Sequence, residues 1–302
     1  MALVEGAKKI ILVTGATGFI GRRLAALLDS EKFAYRALAR DVERARKLLP
    51  ASAEIVAGDM IDEASLRAAL KGAHAVVHMA ALKSDEADIV PVNVGGAHNL
   101  VAACKAAGVR RVVNISSQAT RLAIVGAYGD TKAKADAILA ASGLDVTTIL
   151  PSVVYGPDDP GVFGKLARFV TSFPVVPVMG DGTAAYRPVH VDDLCRAIEG
   201  CLNAPATIGK AYHVGGAETI TLEGLVDLVA GQRGRSPVKV FLPGWLALLL
   251  ARAIAPFFYT PPLSRSNVLG GIQSAPDADY LALFRELGIA PRTIEQGMKD
   301  SL

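Results

Sequence analysis

A tyrosine and a lysine four positions apart, Tyr128 and Lys132, are the side chains of this sequence best suited to proton transfer. If Tyr128 opens a helix, Lys132 lies on the same face one turn later. A phenol with a pKa of about 10 exchanges protons poorly at neutral pH, and a neighbouring ammonium favours its ionised form. The spacing therefore predicts an acid–base centre at Tyr128, which Lys132 assists. An exposed helix start is the alternative interpretation of both residues.

Two serines, Ser116 and Ser117, stand upstream of that pair and follow a predicted strand over residues 111–115. A hydroxyl at the end of a strand can orient a carbonyl or alcohol group beside the phenol. Ser117 is preferred because it lies one position farther beyond the strand; a capping or turn role is the alternative for both serines. Ser117, Tyr128 and Lys132 are thus the predicted catalytic residues, and Ser117 and Tyr128 are also predicted to contact the substrate.

The stretch TGATGFIG, residues 14–21, places glycines at positions 15, 18 and 21 between an apolar run and a helical pattern. In this context the first glycine permits a tight turn and the second lets a pyrophosphate approach the backbone. The third allows the helix to pack closely on the strand, and the helix N-terminus offers N–H donors to phosphate. The pattern predicts a dinucleotide site; a plain strand–turn–helix corner is the alternative.

The end of the second predicted strand indicates which dinucleotide fits. An acidic residue there would hold the ribose 2′-hydroxyl of NAD, but the sequence reads Ala39-Arg40. A guanidinium suits a 2′-phosphate, with Arg22 or Arg23 as possible assistants, so NADP is predicted ahead of NAD. The alternative is that Arg40 only ends a strand in water.

A second glycine–acid pair, Gly58-Asp59-Met60, follows the third predicted strand. At the carboxyl edge of a parallel sheet, Asp59 can accept a hydrogen bond from the adenine amine. A turn aspartate is an equally good interpretation.

The elements that position these residues alternate regularly through the first half of the chain. Strands are predicted at 10–13, 35–39, 54–57, 75–78, 111–115 and 146–150, and helices at 20–28, 42–49, 63–70, 94–107 and 128–141. Such repeats predict a doubly wound parallel sheet, a Rossmann fold of the α/β class. Residues 1–150 are predicted to be the dinucleotide-binding domain. Residues 151–302, where the rhythm breaks, are predicted to be a smaller, mainly helical substrate region with interleaved late sheet elements.

The composition fits a folded protein with small-molecule chemistry. Of the 302 residues, 51% are apolar and 20% charged, and the net charge of +3 without a dense basic block argues against nucleic acid. Three cysteines and five histidines fit no ligand spacing, so no metal site is predicted. The N-terminus lacks a secretory pattern, which predicts a cytoplasmic protein. Asp192 or Asp193 is predicted to cap a helix that starts at Leu194.

Residues 241–259 form an apolar run with one charge, Arg252. Pro243, Gly244 and Pro256 interrupt it and leave about twelve continuous residues, fewer than the roughly 20 that a spanning helix needs. The run is predicted to be a core or pocket-lining helix; peripheral docking on a membrane or a partner protein is the alternative.

Taken together, the motifs resemble those of the short-chain dehydrogenase/reductase superfamily, in its extended or atypical branch, the NAD-dependent epimerase/dehydratase family. The resemblance rests on TGATGFIG (14–21), GDM (58–60), VVHMAA (76–81), NVGGAHNLVAACKAAGVRRVVNISS (93–117), YGDTK (128–132), LPSVVYGP (150–157), RPVHVDD (187–193) and YHVGG (212–216). It implies that Ser117, Tyr128 and Lys132 form the catalytic triad and that Arg187 faces the substrate. Cofactor contacts are implied at Gly15, Thr17, Gly18, Phe19, Ile20, Arg40, Asp59, Met60, Ala80, Ala81, Lys132, Pro151 and Val154.

Three functions remain open at this point. The first is an NADP(H)-dependent oxidoreductase acting on a carbonyl/alcohol pair. The second is a sugar-nucleotide epimerase or dehydratase with bound NAD(P), although the loop between Ser117 and Tyr128 is shorter than such enzymes typically have. The third is an NADPH-binding accessory or scaffold protein of a membrane or quinone-linked complex. The resemblance allows a monomer or a homodimer.

Overall fold

The computed structural model describes residues 8–28, 31–83, 88–254 and 265–301. The strands are β1 (Lys9–Thr14), β2 (Phe33–Ala39), β3 (Glu54–Ala57), β4 (Ala75–His78), β5 (Arg111–Ile115), β6 (Asp145–Pro151), β7 (Val154–Tyr155), β8 (Val175–Met179), β9 (Ala185–Tyr186), β10 (Val189–His190), β11 (Ala211–Val214), β12 (Ile220–Thr221) and β13 (Val238–Leu242). The helices are α1 (Phe19–Leu27), α2 (Val42–Leu48), α3 (Glu63–Leu70), α4 (Gly96–Ala107), α5 (Ala127–Ala140), α6 (Val162–Ser172), α7 (Val191–Asn203), α8 (Leu222–Gln232), α9 (Gly244–Ile254), α10 (Arg265–Ile272), α11 (Ala282–Leu287) and α12 (Ile294–Lys299).

A seven-stranded parallel sheet forms the centre of the fold, in the order β11-β6-β5-β4-β1-β2-β3. The strand order reverses beside β1, as expected for a doubly wound sheet. Side chains alternate across β1 and therefore enter two cores. Ile11 packs with Leu24 of α1 on one face, whereas Leu12 packs with Leu66 of α3 and Leu100 of α4 on the other. The predicted Rossmann architecture is confirmed.

The chain after residue 150 contributes to both parts of the molecule. β11 completes the central sheet and α7 packs on α1. The remaining elements form three two-stranded sheets, β10-β7, β12-β9 and β13-β8, with α6 and α8 around a separate apolar core.

Local capping signals account for several helix starts. The Asp41 carboxylate accepts from the backbone N–H of Arg44, and that of Asp62 accepts from Ala64 and Ser65. The predicted cap at Asp192 or Asp193 is wrong. α7 begins at Val191, and the His190 side chain caps it by accepting from the Asp192 backbone. Both aspartates are themselves buried and bind arginines instead: Asp192 accepts from Arg23 and Arg292, and Asp193 accepts from Arg196.

The apolar run is described over 241–254; residues 255–259 lie outside the described residues. In α9, Ala247 and Ala251 are buried, while Trp245 and Leu249 are 69% and 57% exposed. The described part of the run is therefore a surface helix with one buried edge, rather than a core helix. Among the described residues, no helix is long and apolar enough to cross a membrane.

Candidate active site

The predicted catalytic residues meet at the carboxyl end of β5. The strand ends at Ile115, Ser117 begins a short 3₁₀ turn, and α5 begins one residue before Tyr128. The side chains of Ser117 and Tyr128 lie close enough for Ser117 to lower the pKa of the phenol. Lys132, one turn later on α5, is buried and donates from Nζ to the Ile115 carbonyl at 2.8 Å. The strand, the turn and the helix thus bring the three predicted side chains into one polar cluster.

Burial dominates the titration of this cluster. It raises the pKa of Tyr128 to about 12, against a smaller lowering by the Ser117 side chain. Burial lowers the pKa of Lys132 to about 8. The Lys132 ammonium is directed at the Ile115 carbonyl, and Lys132 is not among the groups that shift the pKa of Tyr128. The predicted assistance of Tyr128 by Lys132 stays a prediction. At neutral pH the cluster consists of a protonated phenol and a charged ammonium that is close to losing its proton.

Asp136, one further turn along α5, is a member of the cluster that sequence reasoning missed. Its carboxylate accepts from Nδ2 of Asn114 at 2.7 Å and from the hydroxyl of Ser116. Its charge raises the pKa of both Lys132 and Tyr128. The signal was present in the sequence, since Asp136 continues the four-residue spacing of Tyr128 and Lys132 along one helix face.

Asn93 is the second residue that was missed, and it fixes the loop after β4 against α5. It lies in a π-helical turn, Pro91–Gly95, and is buried. Its side chain accepts from the Leu82 N–H at 2.8 Å and donates to the Leu82 carbonyl and to the Thr131 hydroxyl. Asn93 begins the motif that runs from residue 93 to residue 117, but a π turn has no sequence signal as clear as a capping residue.

The glycine turn connects β1 to α1 as predicted. Gly15 has φ +74°, and a Cβ there would lie 2.8 Å from the Ala80 backbone nitrogen. Gly18 is the N-cap of α1 and has no side-chain cap. A Cβ at Gly21 would lie 2.5 Å from the Ala16 carbonyl. The first N–H groups of α1 are thus left for an outside acceptor, which is the arrangement that a bound pyrophosphate requires.

The other predicted cofactor residues lie along the same edge of the sheet. Thr17 belongs to the turn, Phe19 and Ile20 open α1 and pack on the core, and Ala80 and Ala81 follow β4. The Ala80 N–H is held by the Thr14 hydroxyl at 3.2 Å. Backbone from β1 and β4 therefore approaches closely at the switch point, where ligands of doubly wound folds bind.

Arg40 follows β2 at the surface and makes no ion pair with a described residue. Arg23 is not available as its assistant, because it is bound by both carboxylate oxygens of Asp192. The Nε atom of Arg22, by contrast, is buried without a hydrogen-bond partner in the described chain. Near the turn, Arg23 therefore has a structural role, whereas Arg22 and Arg40 could still bind a cofactor.

Asp59 serves at least partly as a turn residue. One carboxylate oxygen accepts from the Ile61 N–H at 3.3 Å, and the Asp59 N–H donates to Ser65. Met60 is buried against α4, where its carbonyl accepts from Asn99. Their predicted contacts with the adenine end of a cofactor remain predictions.

The loop between β6 and β7 closes the other side of the site. Pro151 ends β6, Val154 begins β7, and the hydroxyl of Ser152 between them is buried without a described partner. Arg187 is half-buried, with its guanidinium carbon 5.8 Å from the ring centre of Tyr280. The Tyr280 hydroxyl in turn lies 3.5 Å from the side chain of Gln118, which adjoins Ser117. A chain of contacts thus leads from the predicted substrate arginine to the catalytic cluster.

The loop before Tyr128 is held from the far end of the chain. Gln273, just after α10, accepts from the Ile124 N–H at 2.8 Å and donates to the Ile124 carbonyl at 3.2 Å. Ile124 and Val125 are exposed. The loop before Tyr128 therefore presents an apolar rim, which the C-terminal segment stabilises.

Comparison with known proteins identifies the class that this fold and site define. The chain belongs to the NAD dependent epimerase/dehydratase family, whose model matches residues 11–215. The sequence-based assignment to the extended short-chain dehydrogenase/reductases is confirmed. Because the family comprises NAD dependent epimerases and dehydratases and the relatives include reductases, the chain is an enzyme of this group.

Two relatives and one solved structure match almost the whole chain. The 2-alkyl-3-oxoalkanoate reductase of Shewanella oneidensis is 25% identical, with 95% of this chain and 84% of that protein covered. The sterol demethylase protein B of Methylococcus capsulatus is 30% identical, with 96% of both chains covered. The crystal structure of gox2253 is 27% identical, covers 97% of both chains and superposes with a TM-score of 0.77.

Proposed function

We propose that this protein is an NADP(H)-dependent reductase that converts an apolar ketone to an alcohol. The observation that carries the proposal is the half-buried Tyr128 side chain, whose phenol is protonated at neutral pH and lies beside Ser117. A protonated phenol is the form needed to donate a proton to a carbonyl oxygen. The relative from Shewanella oneidensis, a reductase of 2-alkyl-3-oxoalkanoates, supports a ketone flanked by alkyl chains. The apolar rim at Ile124 and Val125 suits such a substrate.

In the proposed mechanism each side chain has one task. Ser117 donates a hydrogen bond to the substrate carbonyl oxygen and orients it beside Tyr128. The Tyr128 hydroxyl gives its proton to that oxygen as the carbonyl carbon gains a hydride, so the C=O bond becomes an alcohol. Lys132, charged below its pKa of about 8, stabilises the phenolate that remains. Bound NADPH would supply the hydride.

The cofactor would be held by the glycine turn and by Arg40. Gly15 and Gly21 leave no room for a side chain, and the uncapped start of α1 offers N–H donors to the pyrophosphate. The exposed guanidinium of Arg40, at the end of β2, would bind the 2′-phosphate. Lys132 would also contact the nicotinamide ribose, and residues 151–154 would lie beside the nicotinamide ring.

The decisive experiment measures NADPH oxidation with a long-chain alkyl ketone. Tyr128→Phe is expected to lower turnover by roughly a hundredfold to ten-thousandfold, because it removes only the proton donor. NADPH affinity stays unchanged in this variant. The matched control is Tyr212→Phe, which removes a hydroxyl bound to Glu286 away from the cluster and is expected to keep full turnover. Equal activity in the two variants would contradict the proposal.

Cofactor choice is tested with Arg40→Ala. Loss of a charge-assisted contact to the 2′-phosphate is expected to weaken NADPH roughly tenfold to a hundredfold and to leave NADH unchanged. Arg46→Ala, at an exposed arginine of α2 paired with Glu43, is the control. Equal losses for both cofactors would overturn the preference for NADP.

A sugar-nucleotide epimerase or dehydratase is the second candidate, and Arg187 is the observation that favours it. A half-buried guanidinium that is held over the Tyr280 ring can bind a substrate phosphate. In that case the purified protein would convert a UDP-sugar without net consumption of NADPH, and Arg187→Ala would abolish the conversion.

The same proposal includes a cytoplasmic location, with a monomer or a homodimer as the working form. Its support is that Cys104, Cys195 and Cys201 are buried and unpaired, as is usual for thiols in a reducing compartment.

A further inference from the structure

An extended apolar surface lies outside the active site, on β8, β13 and α9. We call it the tryptophan surface and define it by Phe173, Val175, Val238, Val240, Trp245 and Leu249. All six side chains are exposed, with Trp245 at 69% and Val238 at 64%. Isolated exposed apolar residues are ordinary, but six on adjoining elements call for a partner.

The pairing of β8 with β13 brings these residues together. Val175 pairs with Val238 and Pro177 pairs with Val240, so their side chains point to the same face of the small sheet. Phe173 precedes Val175 by two residues. The alternate residues of β8, Val176 and Val178, are buried on the opposite face.

The outer face of this sheet continues onto α9. Met179, which shares the face of Val175 and Pro177, packs against Ala247 and Ala251 of α9. The opposite side of α9 presents Trp245 and Leu249, one turn apart. The sheet and the helix therefore each expose apolar side chains on adjoining elements.

The chain segments that build this surface carry mainly basic charges. Residues 228–276 contain five arginines and lysines and no aspartate or glutamate, and residues 160–180 contain two more basic residues and no acid. The chain as a whole has 29 acidic residues, so two segments of this length without any acid are a marked local bias. Arg235, Arg252 and Arg265 are exposed and form no ion pair with a described residue. Lys239 of β13, by contrast, is paired with Glu223 and Asp227.

We propose that the tryptophan surface docks on the face of an anionic lipid bilayer. Aliphatic side chains and a tryptophan would enter the interfacial region, and the surrounding basic residues would meet acidic headgroups. The unpaired arginines Arg235, Arg252 and Arg265 complement such a surface directly. A second copy of this chain fits less well, because a two-fold interface would bring the same basic rim against itself. Docking does not depend on the proposed reaction.

Trp245 is the single tryptophan of the sequence, so its fluorescence reports on this surface alone. The full chain is mixed with vesicles of phosphatidylcholine, or of phosphatidylcholine and phosphatidylglycerol in equal parts. With the phosphatidylglycerol vesicles the emission is expected to move to shorter wavelength, and the protein to float with the vesicles. With phosphatidylcholine alone both effects are expected to be at least roughly tenfold weaker.

Two pairs of matched variants separate the apolar and the charged contributions. Leu249→Ser is expected to weaken vesicle binding roughly tenfold, whereas Ile208→Ser, at an exposed isoleucine elsewhere, leaves it unchanged. Arg252→Gln with Arg265→Gln is expected to weaken binding roughly fivefold per charge, whereas Lys105→Gln on α4 has no effect. Thermal unfolding of each variant shows whether it is folded.

Three results would overturn the proposal. One is an emission spectrum that neither kind of vesicle changes. Another is binding that is equal on both vesicles and insensitive to Leu249→Ser. The third is a shift that depends on protein concentration without lipid and disappears in Leu249→Ser, which would assign the surface to a second copy.

Discussion

At the scale of single residues, burial and a neighbouring carboxylate act in opposite directions on the pKa of Lys132, beside Tyr128. Burial lowers the pKa of Lys132 to about 8, and Asp136 opposes that shift. Lys83, accessible at the edge of the cluster, lowers the pKa of Lys132 further. Because Lys132 must stay charged to stabilise a phenolate, the carboxylate of Asp136 sets the upper end of the working pH range.

Asp136→Asn is therefore expected to change the pH profile of turnover. Wild-type turnover falls as pH rises through about 8, where Lys132 loses its proton. Without the negative charge the ammonium is less favoured, so this fall moves to lower pH, by roughly one unit. The measurement is kcat against pH with NADPH and an alkyl ketone. Asp130→Asn, at an exposed carboxylate of α5 paired with Lys134, serves as the control. A profile unchanged by Asp136→Asn would show that the carboxylate only holds Asn114 and Ser116.

At the scale of elements, the end of β4 lies so close to the first turn that a larger residue at position 15 is not tolerated. Gly15→Ala combines φ +74° with a Cβ 2.8 Å from backbone atoms of Met79 and Ala80. Gly72→Ala has a similar φ of +70° but no atom within 4 Å, so it isolates the cost of the backbone conformation.

Urea unfolding is expected to show a loss of about 1 kcal/mol for Gly72→Ala and at least about 3 kcal/mol for Gly15→Ala. The additional loss measures the clash, since strand backbone cannot move aside as a flexible side chain can. Equal losses in the two variants would mean that the first turn can move away from β4.

These elements also show which parts of the fold were predictable. The helix starts at Asp41 and Asp62, and the strands β3, β4 and β5, follow from signals within a few residues. The cap of α7 was misassigned because His190, a less usual capping residue, takes that role. The place of β11 in the central sheet depends on pairing with β6, about sixty residues away, for which a short strand carries no local signal.

At the scale of the whole molecule, Asp192 ties three distant parts of the chain together. It accepts hydrogen bonds from Arg23 of α1 and from Arg292 near the C-terminus. Burial alone would raise its pKa, but the two guanidinium groups outweigh burial and hold the pKa at about 2. No periodicity predicts a contact between positions 23 and 192, which is why Arg23 was expected to assist the cofactor.

Asp192→Asn is expected to lower the free energy of unfolding at pH 7 by about 2 kcal/mol. A carboxylate with a depressed pKa stabilises the folded state above its unfolded pKa of 3.8 and loses that effect as pH falls through about 2. The difference from wild type should therefore shrink as pH is lowered across that window. Asp300→Asn, 4.0 Å from the same Arg292 and largely exposed, should cost much less. A difference that does not vary with pH would assign the effect to packing.

The π-helical turn at Pro91–Gly95 has a consequence for the frame of the whole site. Such a turn holds about one residue more than an α-helical turn, and one residue is worth roughly 100° of rotation about a helix axis. The additional residue sets the direction in which Asn93 leaves the helix, and in that direction its side chain reaches both Leu82 and Thr131. The turn is thus a wide turn inside a helix. Losing a single residue there is expected to rotate Asn93 away from Leu82 and Thr131 while Ser117, Tyr128 and Lys132 stay in place.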